Sequence, residues 1–305
     1  MYLCVIGTSN IVHHHLKCAI NLKIKIFSIT STNKNSKKVK QFYKKYKIEN
    51  KFLNWKDSIK NAGKIKNCHF LIASRIKDNI KIINECLKYN KQIFVEKPVA
   101  LKSKTFQTLI KRRNIFVGYN RIFYNNIKFT KQLIDKKTKY LINVKCPEAN
   151  KGDIIRNSCH IISILIYLFG QIKVREVIRN RNFITGILTS KNNSIINISF
   201  VYQSSDNFSI EILSRNQKIV LSPIENLEIY DGISIIKKGG INIFKPKLNY
   251  KSNEYYKNNF KPGFYNQMSL FKSIVNGDKK FFPNIKFAKD VIEVCERLVY
   301  DKNVK

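Results

Sequence analysis

The chain has 305 residues, with 57 Lys and Arg against 20 Asp and Glu, a formal net charge of +37. Hydrophobic residues make up 44% and aromatics 12%, enough apolar side chain for a packed core, which excludes a disordered polycation. Only 10 of the basic residues are Arg and 47 are Lys. Base readers rely on the rigid Arg fork, so this balance argues against nucleic acid as a partner. The Lys excess accompanies many Asn and Ile residues, the pattern expected of A/T-rich codons. It is uneven: residues 1–150 hold 33 basic and 7 acidic groups, residues 151–305 hold 24 and 13.

The first 118 residues alternate short apolar strands with helical patterns. Strands are predicted at 2–6, 23–30, 69–73, 92–95 and 114–118. Helices are predicted at 13–21, 36–46, 78–89 and 105–112, from apolar residues at three- and four-residue steps. Such alternation implies right-handed crossovers and a doubly wound parallel sheet. After Tyr119 the pattern changes. Residues 153–169 read as one long helix ended by Gly170, a C-cap residue. Strands then follow one another at about 172–180, 182–190, 194–203, 207–214 and 216–221, which implies an antiparallel sheet. Residues 231–262 are rich in Lys, Asn and Gly and read as irregular. Helices at 264–276 and 286–300 close the chain. Two domains are expected, 1–118 and 119–305.

Seven Cys lie at 4, 18, 68, 86, 146, 159 and 295. The count is odd and no CxxC pair occurs, so reduced, buried thiols of a cytoplasmic protein are expected. The longest apolar run, Ile161–Phe169, is too short for a bilayer, and the first strand starts without a basic leader, so no membrane partner is expected. No metal site is expected either. His13, His14 and His15 are adjacent, and adjacent helical residues point in different directions. The stripe Phe42, Tyr43 and Tyr46 reads as helix packing.

The turn Gly7-Thr8-Ser9-Asn10-Ile11 joins the first strand to the first helix, where a dinucleotide fold cradles pyrophosphate on backbone amides. Of the GxGxxG pattern only Gly7 is present; Ser9 and Val12 stand at the other two glycine positions. The second strand ends in Thr30-Ser31-Thr32-Asn33-Lys34, without the acidic residue that holds a ribose diol. Its hydroxyls and Lys34 lean slightly towards a 2′-phosphate, hence NADP within an NAD(P) reading.

The segment Phe94-Val95-Glu96-Lys97-Pro98 resembles the EKP signature of the Gfo/Idh/MocA oxidoreductase family. Three further stretches fall in matching order: Val117-Gly118-Tyr119-Asn120-Arg121, the helix Gly152–Ile162 with its His160, and the late segments 221–230 and 260–264. The resemblance implies an N-terminal Rossmann domain followed by an α/β domain with an open, mainly antiparallel sheet. It implies hydride transfer between NAD(P) and a sugar or nucleotide-sugar carbon, in the manner of family members from surface-polysaccharide gene sets. Lys97 would polarise a sugar oxygen and His160 would exchange the hydroxyl proton, with Asn120 and Asn157 at the substrate. Gly7, Thr8, Ser9, Asn10, Ile11, Ser31, Lys34, Ala73, Ser74, Glu96 and Lys97 would line the cofactor. Homo-oligomers through the exposed sheet face are expected on the same ground.

The sequence departs from the family at two places. Many members carry Asp four residues before the helical His and three after it; here these positions are Arg156 and Ser163. Asp153 or Tyr124 are candidates to supply the missing acid. The alternative is a catalytically silent dinucleotide-binding relative with a binding or regulatory role.

Overall fold

The computed structural model describes residues 1–33, 36–254, 260–277 and 281–300. The chain forms two units. The first takes residues 1–123 and the described part of 256–292; the second takes the described parts of 124–255 and 293–305.

The first unit is built on five parallel strands: β1 (Tyr2–Ile6), β2 (Lys25–Thr30), β3 (Cys68–Ile72), β4 (Ile93–Glu96) and β5 (Ile115–Gly118). Their spatial order is β2-β1-β3-β4-β5. Every residue of β3 and β5 is buried. Strands covered on both faces read as unbroken apolar runs, which is why they stand out in the sequence. The crossovers are α1 (Asn10–Asn21), α2 (Lys37–Tyr46), α3 (Trp55–Lys64) and α4 (Ile76–Cys86). All seven Cys are free and buried.

The helix expected at 105–112 is instead a 3₁₀ turn, Ser103–Phe106, followed by further turns. Phe106 and Leu109 are both buried, three residues apart. Successive i to i+3 bonds, Leu109 to Phe106 and Arg112 to Leu109, satisfy that spacing without an α-helix.

A returning segment completes the first unit. Helix α7 (Phe264–Val275) brings Phe271 against Phe94 and Phe116 at ring distances of 5.4 and 5.9 Å. Apolar packing of this late helix on β4 and β5 thus draws chain past residue 256 back to the dinucleotide-type sheet. Helix α8 (Ile285–Tyr300) passes from the first unit into the second.

The second unit holds an eight-stranded sheet of β6 (Leu141–Glu148), β7 (Ile172–Arg179), β8 (Phe183–Ser190), β9 (Ile195–Tyr202), β10 (Ser209–Leu213), β11 (Gln217–Leu221), β12 (Asn226–Lys238) and β13 (Ile241–Asn253). The order is β13-β12-β11-β10-β6-β9-β8-β7, and all pairs are antiparallel except β6 with β9. Burial alternates along β6, β8 and β9, so one face is core and the other outward. Helices α5 (Asn125–Leu133) and α6 (Cys159–Phe169) also belong to this unit, and α6 is almost wholly buried.

Residues 231–253 are not irregular. They complete a hairpin of two 13-residue strands, turned at Gly239-Gly240, both with positive φ. A two-residue loop of this conformation suits the right-handed twist of a hairpin, and glycine adopts it without strain. Strand β12 pairs with β11 only as far as Asp231; beyond it the hairpin pairs with itself alone.

His69 on β3 is buried, accepts a hydrogen bond at Nδ1 from the Gln92 amide (3.1 Å) and faces Asn67 through Nε2 (3.2 Å). Burial, then Lys91, pushes its pKa down from 6.5 to about 4. The unfolded chain therefore binds this proton near pH 6.5 and the folded chain only near 4. Stability present above pH 6.5 is lost as pH falls through 4, by about 3 kcal/mol for this group. Chemical unfolding at stepped pH should show that loss in the wild type and a smaller one in His69→Gln; equal slopes would refute the assignment.

Candidate active site

Because β1 to β5 are parallel, the turns after Ile6, Thr30, Ile72, Glu96 and Gly118 all lie along one edge of the first unit's sheet. Ligands of doubly wound sheets bind at this carboxyl edge. Gly7 sits there with φ +135°, and a Cβ on it would lie 2.1 Å from the Ala73 carbonyl oxygen. The Gly7 amide donates to Thr30 (2.8 Å), and the Ala73 amide donates to Ile6 (2.8 Å). Three strand ends are thereby drawn together, and only glycine permits the approach.

Helix α1 starts just beyond. Its N-cap Ser9 makes no side-chain capping bond, and the first turn carries no acidic residue. Thr8 and Ile11 are half-buried, and Ser9 and Asn10 are exposed. The first amides and the positive end of the helix dipole are thus left for an anion. Val12 is fully buried, so it fills the helix–strand contact that a third glycine would occupy.

At the second turn, Ser31 Oγ accepts from the Asn33 amide (3.2 Å). Lys34 lies outside the described residues. Arg75, which the sequence reading passed over, stands here instead. Its Nη2 donates to Thr32 Oγ1 (3.4 Å) and its Nε to Asp78 (2.9 Å). Its place directly after β3 was the available signal. Ser74 Oγ donates to Asn79 Oδ1 (2.7 Å), and the Asn79 amide reaches the Pro98 and Val99 carbonyls at 3.3 and 3.2 Å. Asn79 is buried. It ties the third turn to the loop that follows Lys97, a role no local pattern discloses.

Glu96 ends β4, and its Oε1 lies 2.5 Å from Nε2 of His15 on α1. His15 is 0% exposed and packs against the rings of Phe94 (5.0 Å) and Phe264 (4.9 Å). A Cβ on Gly118 would come within 3.0 Å of Glu96 Oε1 and 2.8 Å of the Phe94 ring. The carboxylate is thus boxed from two sides. Lys97 follows, half-buried, joined to Pro98 by a cis peptide bond. Asn120, after β5, is buried and donates to the Pro262 carbonyl (3.1 Å). The other two histidines diverge: His13 bonds Tyr46 Oη (2.8 Å) and stacks on Phe42, while His14 faces Phe264.

In the second unit His160 is 7% exposed, on the first turn of α6. The expected long helix is interrupted: Ile154–Ser158 form a π-turn directly before it. Asn157 Nδ2 donates to Glu148 Oε2 (3.1 Å), and Ser158 Oγ donates to Glu148 Oε1. Two adjacent side chains thus reach one carboxylate at the wide turn, and the α-helical spacing from Asn157 to His160 does not apply. Glu148 is 6% exposed, and burial pushes its carboxyl up against the opposing pull of Ser158 and Asn157. Asp153 accepts from Asn150 (2.6 Å), Ser163 Oγ bonds the His160 carbonyl (2.6 Å), and Tyr124 Oη donates to Glu225 (3.3 Å). Glu148 escaped the sequence reading because it lies on a strand, outside the helix being searched for acids.

An NAD-binding Rossmann unit is the class this geometry defines, and the comparisons agree. Residues 2–129 match the GFO_IDH_MocA model, described as an oxidoreductase family with an NAD-binding Rossmann fold. On that match the chain belongs to the Gfo/Idh/MocA oxidoreductase family. A dehydrogenase (MviM) of Clostridium difficile is 19% identical, with 98% of each chain covered and a TM-score of 0.75. UDP-N-acetylglucosamine 3-dehydrogenase GnnA of Acidithiobacillus ferrooxidans is 11% identical, covering 99% of this chain and 97% of its own, with a TM-score of 0.76. An Agrobacterium radiobacter oxidoreductase in complex with NAD+, L-tartaric acid and magnesium is 13% identical, covering 99% and 96%, with a TM-score of 0.73. At these identities the likeness establishes a shared fold. No curated protein matches the chain.

The Glu148 carboxyl yields a sign-specific test. Its folded pKa is raised above the ordinary 4.5, so its favourable contribution is complete below that pH and is lost as pH rises through the folded value. Glu148→Gln, which stays neutral, should gain stability relative to wild type as pH rises from acid to neutral. A pH-independent difference between the two unfolding curves would remove the case for a raised carboxyl.

Proposed function

We propose that the chain is an NAD(P)-dependent dehydrogenase or reductase that moves a hydride to or from a carbon of a sugar or nucleotide sugar, in surface-polysaccharide metabolism. The observation that carries this is the clamp of Glu96 on buried His15, which fixes Lys97 to the helix whose N-terminus faces the cofactor turn. Residues at the sheet edge fit a dinucleotide. The space at Gly7 that a Cβ would fill, the acid-free start of α1 with Thr8 to Ile11, Ser31, and the Ala73-Ser74 turn would hold it. Arg75 beside Thr32 supports NADP over NAD, since a guanidinium pairs well with a 2′-phosphate. The bound cofactor supplies the hydride chemistry.

The chain's own groups manage position and proton. The Lys97 ammonium orients the reacting oxygen and stabilises the negative charge it develops. His160 exchanges the hydroxyl proton, being a group that titrates near neutrality. Asn157 and Asn120 complete the substrate side, and Glu148 holds the turn that precedes His160. Self-association through the outward face of the second sheet and a cytoplasmic location belong to the same reading. No described helix is long and apolar enough to cross a membrane. The silent-relative reading keeps one observation in its favour: Arg156 and Ser163 stand where the family's helical carboxylates are expected, and Ser163 Oγ is turned to backbone.

Fluorescence titration with NADH and NADPH tests binding first, and NADPH should bind more tightly. Gly7→Ala should weaken either by at least about tenfold, through backbone strain and the clash with Ala73. Turnover against a panel of nucleotide sugars tests the chemistry. Lys97→Met should lower it by about 100-fold or more while cofactor affinity holds within about threefold. Binding of neither dinucleotide would sink the proposal; binding with no turnover on any sugar would favour the silent relative.

A further inference from the structure

We infer that the β12–β13 hairpin is a dimerisation arm that lies on the outward sheet face of a second copy of this chain. The inference rests on the self-association reading above and goes further, assigning the surface that makes the contact. Beyond Asp231 the two strands pair only with each other. Register puts Ile235 opposite Phe244 and Ile233 opposite Pro246, with Leu248 next along the same side. On the other side Ile236 faces Ile243, and Ile241 faces Lys238. The large apolar side chains of both sides are 44–67% exposed. A two-stranded ribbon is marginal in water by itself, and apolar groups on both its faces call for cover.

Three features select the occupant. First, the arm has Lys237-Lys238-Gly239-Gly240 at its tip and the apolar groups along its stem. A hairpin that dips into a bilayer needs the reverse order, with its apolar groups foremost, so a protein surface running alongside the stem fits better. Second, the same chain presents such a surface. Leu141, Ile195, Val201, Phe183 and Ile187 lie on adjacent strands β6, β9 and β8, all on the outward face, 36–47% exposed. Donor and acceptor on one chain are what a two-fold interface requires, because each copy gives an arm and receives one. Third, the area suffices. The exposed parts of the arm and sheet groups amount to on the order of 1,000 Å² per copy, against the roughly 800 Å² per partner that a stable interface buries.

The test uses the full chain in sedimentation velocity, with Ile235→Lys/Phe244→Lys on the arm and Ile195→Lys/Val201→Lys on the sheet as separate double variants. All these positions are surface positions, and retained circular dichroism and dinucleotide binding confirm folding. The wild type should be a dimer or larger, and each double variant should weaken association by at least about tenfold. A monomeric wild type overturns the arm and the self-association reading together. An oligomer indifferent to the arm variant overturns the arm alone. Wild type that co-sediments with phosphatidylserine vesicles, and loses this in the arm variant, overturns the choice of a second copy.

Discussion

The contact between His15 and Glu96 is the constraint on which the first unit's site depends. It is buried, it is short at 2.5 Å, and it joins two elements with different tasks. Helix α1 offers amides and a positive dipole to an anion; β4 delivers Lys97. If either partner were apolar, the other would be a buried polar group without its bond, a cost of about 1–3 kcal/mol. The pair therefore sets the separation between the anion-binding turn and the ammonium. Around it, Gly7 lets α1 start close to β3, and Gly118 leaves room for the Glu96 carboxylate. Asn79 then fixes the loop after Pro98 from a third strand.

The second unit solves a related problem by another route. A helix bearing a functional His benefits from a carboxylate to hold it, and the family places that carboxylate on the helix itself. Here Arg156 and Ser163 stand at those positions, and the buried carboxylate comes from β6. Glu148 takes hydrogen bonds from two consecutive residues, Asn157 and Ser158. Side chains of neighbouring residues diverge on an α-helix by about 100°. The wider π-turn at Ile154–Ser158 brings them to one acceptor, and it sets where α6 begins. The position of His160 is thus determined through a turn and a strand rather than by a helical neighbour.

How much of this was legible follows from where each contact is made. The parallel strands were readable because both faces are buried and the apolar runs are unbroken. The EKP segment was readable because its three residues are consecutive. The hairpin at 231–253 was not, because a ribbon wetted on both sides lacks the alternation that marks a half-buried strand, and its Lys, Asn and Gly content resembles a loop. Strand β6 and helices α3 and α5 were passed over. Glu148, Asn79 and Arg75 act through partners 9 to 43 residues away, and only the fold brings these together. His15 could be placed towards core or cofactor by its helical position, but its bond to Glu96, 81 residues on, could not.

The charge of +37 takes its meaning from this division. A lysine in water is screened beyond roughly 8–10 Å at physiological salt, so a scattered excess acts as a weak, long-range bias towards anions and confers no geometry. That bias falls mostly on residues 1–150, at 33 − 7 = +26. It would raise the local concentration of a phosphate-bearing ligand but could not orient it. Orientation requires groups whose positions are fixed by burial and bonding. In the first unit these are the Gly7 turn, the His15–Glu96 pair and the half-buried Lys97, and two of those three contain no cationic lysine. Specificity here is a property of packed contacts, with the lysine background acting only on encounter.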